Sequence, residues 1–98
     1  MFNFNPYQSQ THSTRPPLDF ATLQKARRDL IGEIQAVIDY DEHIHTSDDI
    51  VASQVWQSIK NEELVHIGEL LALLDYLDSS QNQYVTKGID EFNSMLNH

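Results

Sequence analysis

Apolar residues recur at helical spacing along two long stretches of the chain. Between Asp19 and about His45 they stand mostly three, four or seven residues apart, at Leu23, Leu30, Ile34, Val37, Ile38 and Ile44. From about Asp48 to Leu77 the pattern returns, at Val51, Val55, Ile59, Ile67, Leu70, Leu73, Leu74 and Leu77. Such spacing places the apolar side chains on one face of a helix. The sequence therefore predicts two long amphipathic helices.

Polar residues predict where these helices begin and end. Asp19 is a suitable N-cap for the first helix, and Thr46–Asp49 offers an N-cap hydroxyl followed by first-turn carboxylates for the second. The composition of Asp78–Asn82 is typical of a turn. A short third helix is predicted from Tyr84 to Leu96, although Gly88 weakens it.

These elements predict an all-α fold with one domain at residues 18–98. Residues 1–17 carry few aliphatic side chains, and we expect them to form a flexible N-terminal segment. We expect the two long helices to form an antiparallel hairpin, against which the short C-terminal helix docks. Such a hairpin buries little apolar surface alone, so we expect it to dimerise into a four-helix bundle.

Composition excludes several classes of function. The chain has no cysteine, so it can form neither disulfides nor thiolate metal sites. The formal net charge of −9 leaves no basic surface for nucleic acid. No apolar run is long enough to cross a membrane, and the first ten residues do not resemble a signal peptide. We therefore expect a cytoplasmic protein that binds neither nucleic acid nor membrane.

Three polar residues share the apolar helix faces. At about 100° per residue, Glu33 falls at the edge of the first apolar face, and Glu63 and His66 fall inside the second. Buried carboxylates need a counter-charge, and the helical phase predicts no lysine or arginine on these faces. A divalent cation would supply that charge, because Glu63-x-x-His66 presents an oxygen and a nitrogen ligand one turn apart.

The hairpin brings the two helices' ligands to one height. Glu33 precedes the predicted turn by about 14 residues, and Glu63 follows it by about 16. Because an α-helix rises by about 1.5 Å per residue, both side chains lie at nearly the same height along the hairpin. One Glu on one helix and one Glu-x-x-His on its neighbour is half of the ligand set of a di-iron bundle site. A two-fold dimer would supply the other half. The alternative is a non-enzymatic helical homodimer, in which the Glu and His residues serve an interface network.

The run from Leu30 to Leu77 resembles the encapsulated ferritin family. The matching pieces are Glu33–Val37, Tyr40-Asp41 and Asn61–His66. The resemblance implies a ferritin-like ferroxidase that oxidises Fe(II) at a site with two irons per dimer. It also implies metal ligands at Glu33, Glu63 and His66, with Tyr40 supporting them. Of the three ligands, we expect Glu63 to bridge the two ions and Glu33 and His66 to be terminal. Its further implications are a ring of dimers and loading into an encapsulin shell.

The chain departs from the family pattern in three places. Gly32 and Gln35 stand where the family often has carboxylates that flank the first ligand, and Asp39 replaces a tryptophan. The family's shell-targeting peptide is not found before His98. We expect the remaining histidines near the hairpin turn, His43 and His45, to have no catalytic role.

Overall fold

A computed structural model describes residues 18–97, which form three helices: α1 (Phe20–Thr46), α2 (Ile50–Leu77) and α3 (Ser79–Leu96). These described residues contain no strand, so the predicted all-helical class is confirmed. The N-terminal segment predicted to be flexible, residues 1–17, lies outside the described residues. The antiparallel hairpin consists of α1 and α2, which contact each other extensively, whereas α3 contacts mainly α2.

Carboxylates cap the first two helices. Asp19 accepts hydrogen bonds from the Thr22 backbone N–H (3.2 Å) and from the Thr22 hydroxyl (2.7 Å), which confirms the predicted cap of α1. The predicted hydroxyl cap of α2 is wrong. Asp49 caps this helix instead, because its side chain accepts from the Ala52 N–H at 2.9 Å. The Ser47 hydroxyl accepts from the N–H of Asp49 (3.1 Å) and thus supports the cap from outside the helix.

The third helix begins earlier than the sequence predicts. Residues 79–82 belong to α3, and the predicted five-residue turn shrinks to Asp78 alone. The Asp78 N–H donates to the Leu74 carbonyl and ends α2, while its side chain accepts from the Gln81 N–H (3.1 Å) and the Ser80 hydroxyl (2.7 Å). Hydroxyl and amide residues favour turns and also the first turn after an N-cap, so composition alone did not separate the two.

Side chains tie the start of α3 to the hairpin. The Asn82 amide donates to the buried Asp75 carboxylate at 2.7 Å, and Arg27 of α1 donates to the Gln81 side chain. A cavity of about 240 Å³ lies at the same joint, lined by Leu23, Leu71 and Val85 among others. The first two turns of α3 therefore dock at the end of the hairpin where α1 begins.

A single copy buries very little. Among the described residues only Leu23 and Ala26 are fully buried apolar side chains, at 1 % and 2 % exposure. Many large apolar residues stay exposed, including Ile31, Ile34, Ile38, Val51, Val55, Leu64, Val65, Leu73, Phe92 and Leu96. Exposed apolar surface on this scale marks interaction surfaces. None of the described helices is both long enough and apolar enough to cross a membrane.

Candidate metal centre

Two helices supply the candidate ligands. Glu33 lies near the middle of α1, and Glu63 and His66 lie one turn apart near the middle of α2. Because the helices run antiparallel from the Asp49-capped turn, these positions reach the same height. The side chains meet as the helical register predicts: one ligand atom from each residue lies within 4.8 Å of the other two.

The imidazole lies beside both carboxylates. His66 Nδ1 is 3.4 Å from Glu33 Oε1 and 4.0 Å from Glu63 Oε2. The two glutamates are partly shielded, with side chains 24 % and 20 % exposed, whereas the His66 side chain is 46 % exposed. His66 therefore lies at the open rim of the group, more exposed than its phase on the apolar face predicts.

The two carboxylates perturb each other. Glu33 lies within hydrogen-bonding reach of Glu63 and raises the pKa of that carboxyl above its ordinary value of 4.5, with desolvation as a further cause. The second oxygen of Glu33, Oε2, is buried and has no hydrogen-bond partner. A buried carboxylate oxygen without a partner is costly, so this position is suited to a proton or a cation.

An open cleft of about 550 Å³ leads to the group, and it is lined by residues that the sequence analysis missed. Asp29 and Glu69 line it together with Glu33 and His66. Arg28 lines it as well, so a basic residue lies beside the acids, although its helical phase keeps it off the apolar face of α1. A signal existed: Asp29 is four residues before Glu33 and Glu69 three after His66, which places each on the same helix side as a ligand.

Tyr40 takes a different neighbour from the one expected. Its ring lies edge-on to His43, with ring centroids 6.0 Å apart, and His43 in turn lies edge-on to Trp56 at 4.9 Å. Within the described residues, the contact found for Tyr40 is this ring contact rather than a bond to a ligand. A supporting role for Tyr40 therefore stays a prediction, and His43 has a packing role that the sequence did not indicate.

The donor set is chemically consistent with iron. Two carboxylates and an imidazole, without thiolates, suit divalent first-row metals, and carboxylate oxygens also stabilise Fe(III). The partnerless Glu33 oxygen and the proximity of the two acids fit a cation between them. One chain, however, offers only three ligand residues, which is half of a two-metal bundle site.

No protein-family model matches the chain, and neither a curated protein nor a solved structure matches it significantly. The function must therefore be inferred from the residues and the geometry of this group.

Proposed function

We propose that the protein is a ferroxidase, which oxidises Fe(II) to Fe(III) at a centre shared by two copies of the chain. Fe(II) is the substrate, with two ions per dimer, and Glu33, Glu63 and His66 of each copy bind it. The observation that carries this proposal is the convergence of these three side chains within 4.8 Å on two different helices.

The electrostatics of the group support cation binding. The Glu33 carboxylate raises the pKa of Glu63, and one oxygen of Glu33 is buried without a hydrogen-bond partner. A divalent cation held by these residues would relieve both unfavourable features, because its charge would compensate the paired acids. Asp29 and Glu69 add negative charge along the open cleft through which a cation would approach.

The half-set of ligands supports a two-fold dimer. In di-iron helical bundles two helices each supply a Glu, and two others each supply a Glu-x-x-His. This chain carries each element once, and an isologous dimer would present both sets to each other across its axis. The exposed position of His66 is compatible with a centre at a subunit interface.

Iron oxidation requires the protein mainly to hold the ions and to leave them accessible to an oxidant. Each Fe(II) gives up one electron, which dioxygen or peroxide accepts. The carboxylates of Glu33 and Glu63 favour the more highly charged product, because hard oxygen donors bind Fe(III) more strongly. His66 is the neutral ligand, and it binds metal only when its ligating nitrogen is unprotonated.

The resemblance to encapsulated ferritins extends the proposal to storage or detoxification of iron. On this basis the dimers would associate into a ring and occupy an encapsulin shell within the cytoplasm. This extension is carried by the matching segments around Glu33 and Glu63 alone.

The rival function is a non-enzymatic helical homodimer. One observation favours it: His66 Nδ1 lies within 4.0 Å of an oxygen of each carboxylate, so hydrogen bonds and protons shared within the group could hold it together. In that case Glu33, Glu63 and His66 would form an interface network without any metal.

Fe(III) formation after addition of Fe(II) in air tests the ferroxidase directly. We expect Glu63→Gln and His66→Ala each to slow oxidation at least about tenfold, because even residues that only support metal ligands contribute about 10–100-fold. Metal analysis of the purified protein should find iron in the wild type and little in these variants.

Matched controls come from neighbouring residues of the same type. Glu62→Gln changes an exposed acid next to Glu63, and His43→Ala and His45→Ala change histidines outside the group. These three variants should oxidise Fe(II) at nearly the wild-type rate. If Glu63→Gln also oxidised iron as fast as the wild type, the centre would not be where we propose it, and the non-enzymatic dimer would be favoured.

A further inference from the structure

α2 ends at Asp78 although no residue there forces a helix to stop. Glycine and proline, the residues that most often end helices, are absent from residues 69–87. Asp78, the single residue between α2 and α3, has a φ of −146° and a ψ of 81°, and no described residue has a positive φ. A residue with negative φ can reach the helical region without the steric cost of the left-handed region. The corner at Asp78 is therefore not fixed by the backbone alone.

Helical hydrogen bonding continues on both sides of this corner. The Asp78 N–H donates to the Leu74 carbonyl (3.0 Å), and the Asn82 N–H donates to the Asp78 carbonyl (3.2 Å). Both bonds join residues four apart, as in an uninterrupted α-helix. The N–H groups of residues 79–81 belong to the first turn of α3 and have no partner within that helix. If Asp78 became helical, these groups would donate to the carbonyls of residues 75–77.

Side-chain contacts hold α3 at its present angle. The Asp78 carboxylate accepts from the Gln81 N–H at 3.1 Å, a capping bond that forms only where a helix begins. The Asn82 amide donates to Asp75 at 2.7 Å, and Arg27 of α1 donates to the Gln81 side chain. A straight helix would break these contacts, because it would place Asn82 about 10.5 Å along the axis from Asp75 and carry Gln81 away from α1.

The docked arrangement also carries costs. A cavity of about 240 Å³ remains between α3 and the hairpin, among Leu23, Leu71 and Val85. Asp78 Oδ2 and Asn93 Oδ1 are buried without a hydrogen-bond partner. Unfilled space and buried polar atoms without partners both destabilise a folded arrangement. A straight helix would expose both oxygens to water, so docking of α3 is favoured by some contacts and opposed by others.

We propose that the Asp78 corner is a two-state joint, in which α3 either docks on the hairpin or joins α2 in one continuous helix from Ile50 to Leu96. The continuous helix would be about 70 Å long, at about 1.5 Å per residue. The docked state predominates in the wild type, because aspartate, serine and asparagine favour helix caps over helix interiors. The straight state uncovers Leu23, so the docked α3 acts as a lid on the end of the hairpin where α1 begins. The joint involves none of the proposed metal ligands.

Distances between two spin labels distinguish the states, and the absence of native cysteines allows specific labelling. Ser58→Cys and Ser94→Cys place the labels at exposed positions of α2 and α3. In a continuous helix the two positions are about 54 Å apart, at about 1.5 Å per residue, and in the docked state they are closer because the chain turns at Asp78. The labelled protein is diluted into excess unlabelled protein in chelator, so that each distance comes from one chain.

Two substitutions of Asp78 separate loss of the carboxylate from straightening of the joint. In an Asn82→Ala background, Asp78→Ala removes the cap and inserts the best helix former, so the main distance should move to about 54 Å. In the same background, Asp78→Gly removes the same carboxylate, but glycine is tolerated as an N-cap and disfavours helix interiors. This variant should keep the short distance. Asp90→Ala changes an exposed acid of α3 and should behave like the wild type.

Far-UV circular dichroism should find at least the wild-type helix content in the Asp78→Ala, Asn82→Ala variant. If this variant loses helix content, Asp78→Ala alone repeats the comparison with Asp78→Gly. A short distance in the folded alanine variant would overturn the proposal. The same broad range of distances in the alanine and glycine variants would also overturn it, because the corner would then be flexible rather than two-state. Neither result would affect the iron oxidation test, which concerns other residues.

Discussion

At the scale of residues, the most unusual feature is a pair of acids that approach each other with only one imidazole nearby. Glu33 and Glu63 come from different helices, and the pKa of Glu63 is raised because Glu33 lies beside it. Such a pair is more stable with a proton or a cation between the carboxylates than with both carboxylates ionised and unpaired. Which of the two occupies the group decides whether it is a metal centre or a structural network.

The stability of the metal-free protein should therefore depend on pH through Glu63. Because its pKa is higher in the folded than in the unfolded chain, the folded state binds the proton more tightly. The resulting stability is present below pH of about 4.5 and is lost as pH rises through the raised pKa. In chelator, thermal melts of Glu33→Gln should lose less stability over this window than wild-type melts.

The same variant should respond to iron in the opposite direction. Near neutral pH and in chelator, Glu33→Gln should melt above the wild type, whereas Fe(II) without oxygen should stabilise it less than the wild type. Glu42→Gln removes an exposed acid from the same helix and serves as the control. A Glu33→Gln protein that melts like the wild type with and without iron would show that Glu33 is no ligand.

The sequence predicted the central residues of this group better than its surroundings. Glu33, Glu63 and His66 were found because they interrupt apolar faces, and periodicity detects such interruptions. Asp29, Glu69 and Arg28 lie outside those faces, where charged residues are ordinary, so the apolar period alone did not select them. The spacing of Asp29 from Glu33 and of Glu69 from His66 was the remaining signal, and it becomes informative only once the ligands are chosen. The contact between Tyr40 and His43 depends on side-chain directions that spacing along the chain does not specify.

At the scale of elements, short polar segments set the geometry that brings the ligands together. Asp49 and Asp78 each begin a helix, and each connection between helices is short. The long helices were predictable because many apolar residues in each of them repeat with the same helical spacing. Their boundaries depend on one or two capping residues, and Ser79, Ser80 and Gln81 are equally suited to a turn or to a first helical turn.

The cap of α2 can be tested with adjacent aspartates. Asp49→Ala removes the side chain that accepts from the Ala52 N–H and should destabilise the protein by about 1 kcal/mol. For a domain of this size, that loss lowers the melting temperature by about 4–8 °C. Asp48→Ala alters the preceding, exposed aspartate, which lies outside the helix, and should change stability much less. Equal losses in both variants would contradict the assignment of Asp49 as the cap.

At the scale of the whole molecule, the chain is too thin to bury its own apolar residues. Its smallest dimension is 19 Å, about two helix diameters, and apolar side chains are exposed on more than one side. Sequence patterns predicted that a partner is needed, because two amphipathic helices form only two layers. They did not predict the direction of α3, since that depends on the joint at Asp78.

Metal-driven assembly is the prediction that belongs to this scale. If each copy holds half of the centre, Fe(II) binds the dimer alone and stabilises it by mass action, by about 2.7 kcal/mol at a concentration 100 times the dissociation constant. Light scattering of the wild-type protein without oxygen should find monomers or weakly associated dimers in chelator and stable dimers or larger assemblies with Fe(II). Neither the Glu63→Gln variant with Fe(II) nor the wild-type protein with Mg²⁺, an ion that prefers water and oxygen ligands, should show this increase in mass. A protein that stays monomeric with Fe(II) and still oxidises it in air would place a complete iron site within one chain and exclude the shared centre.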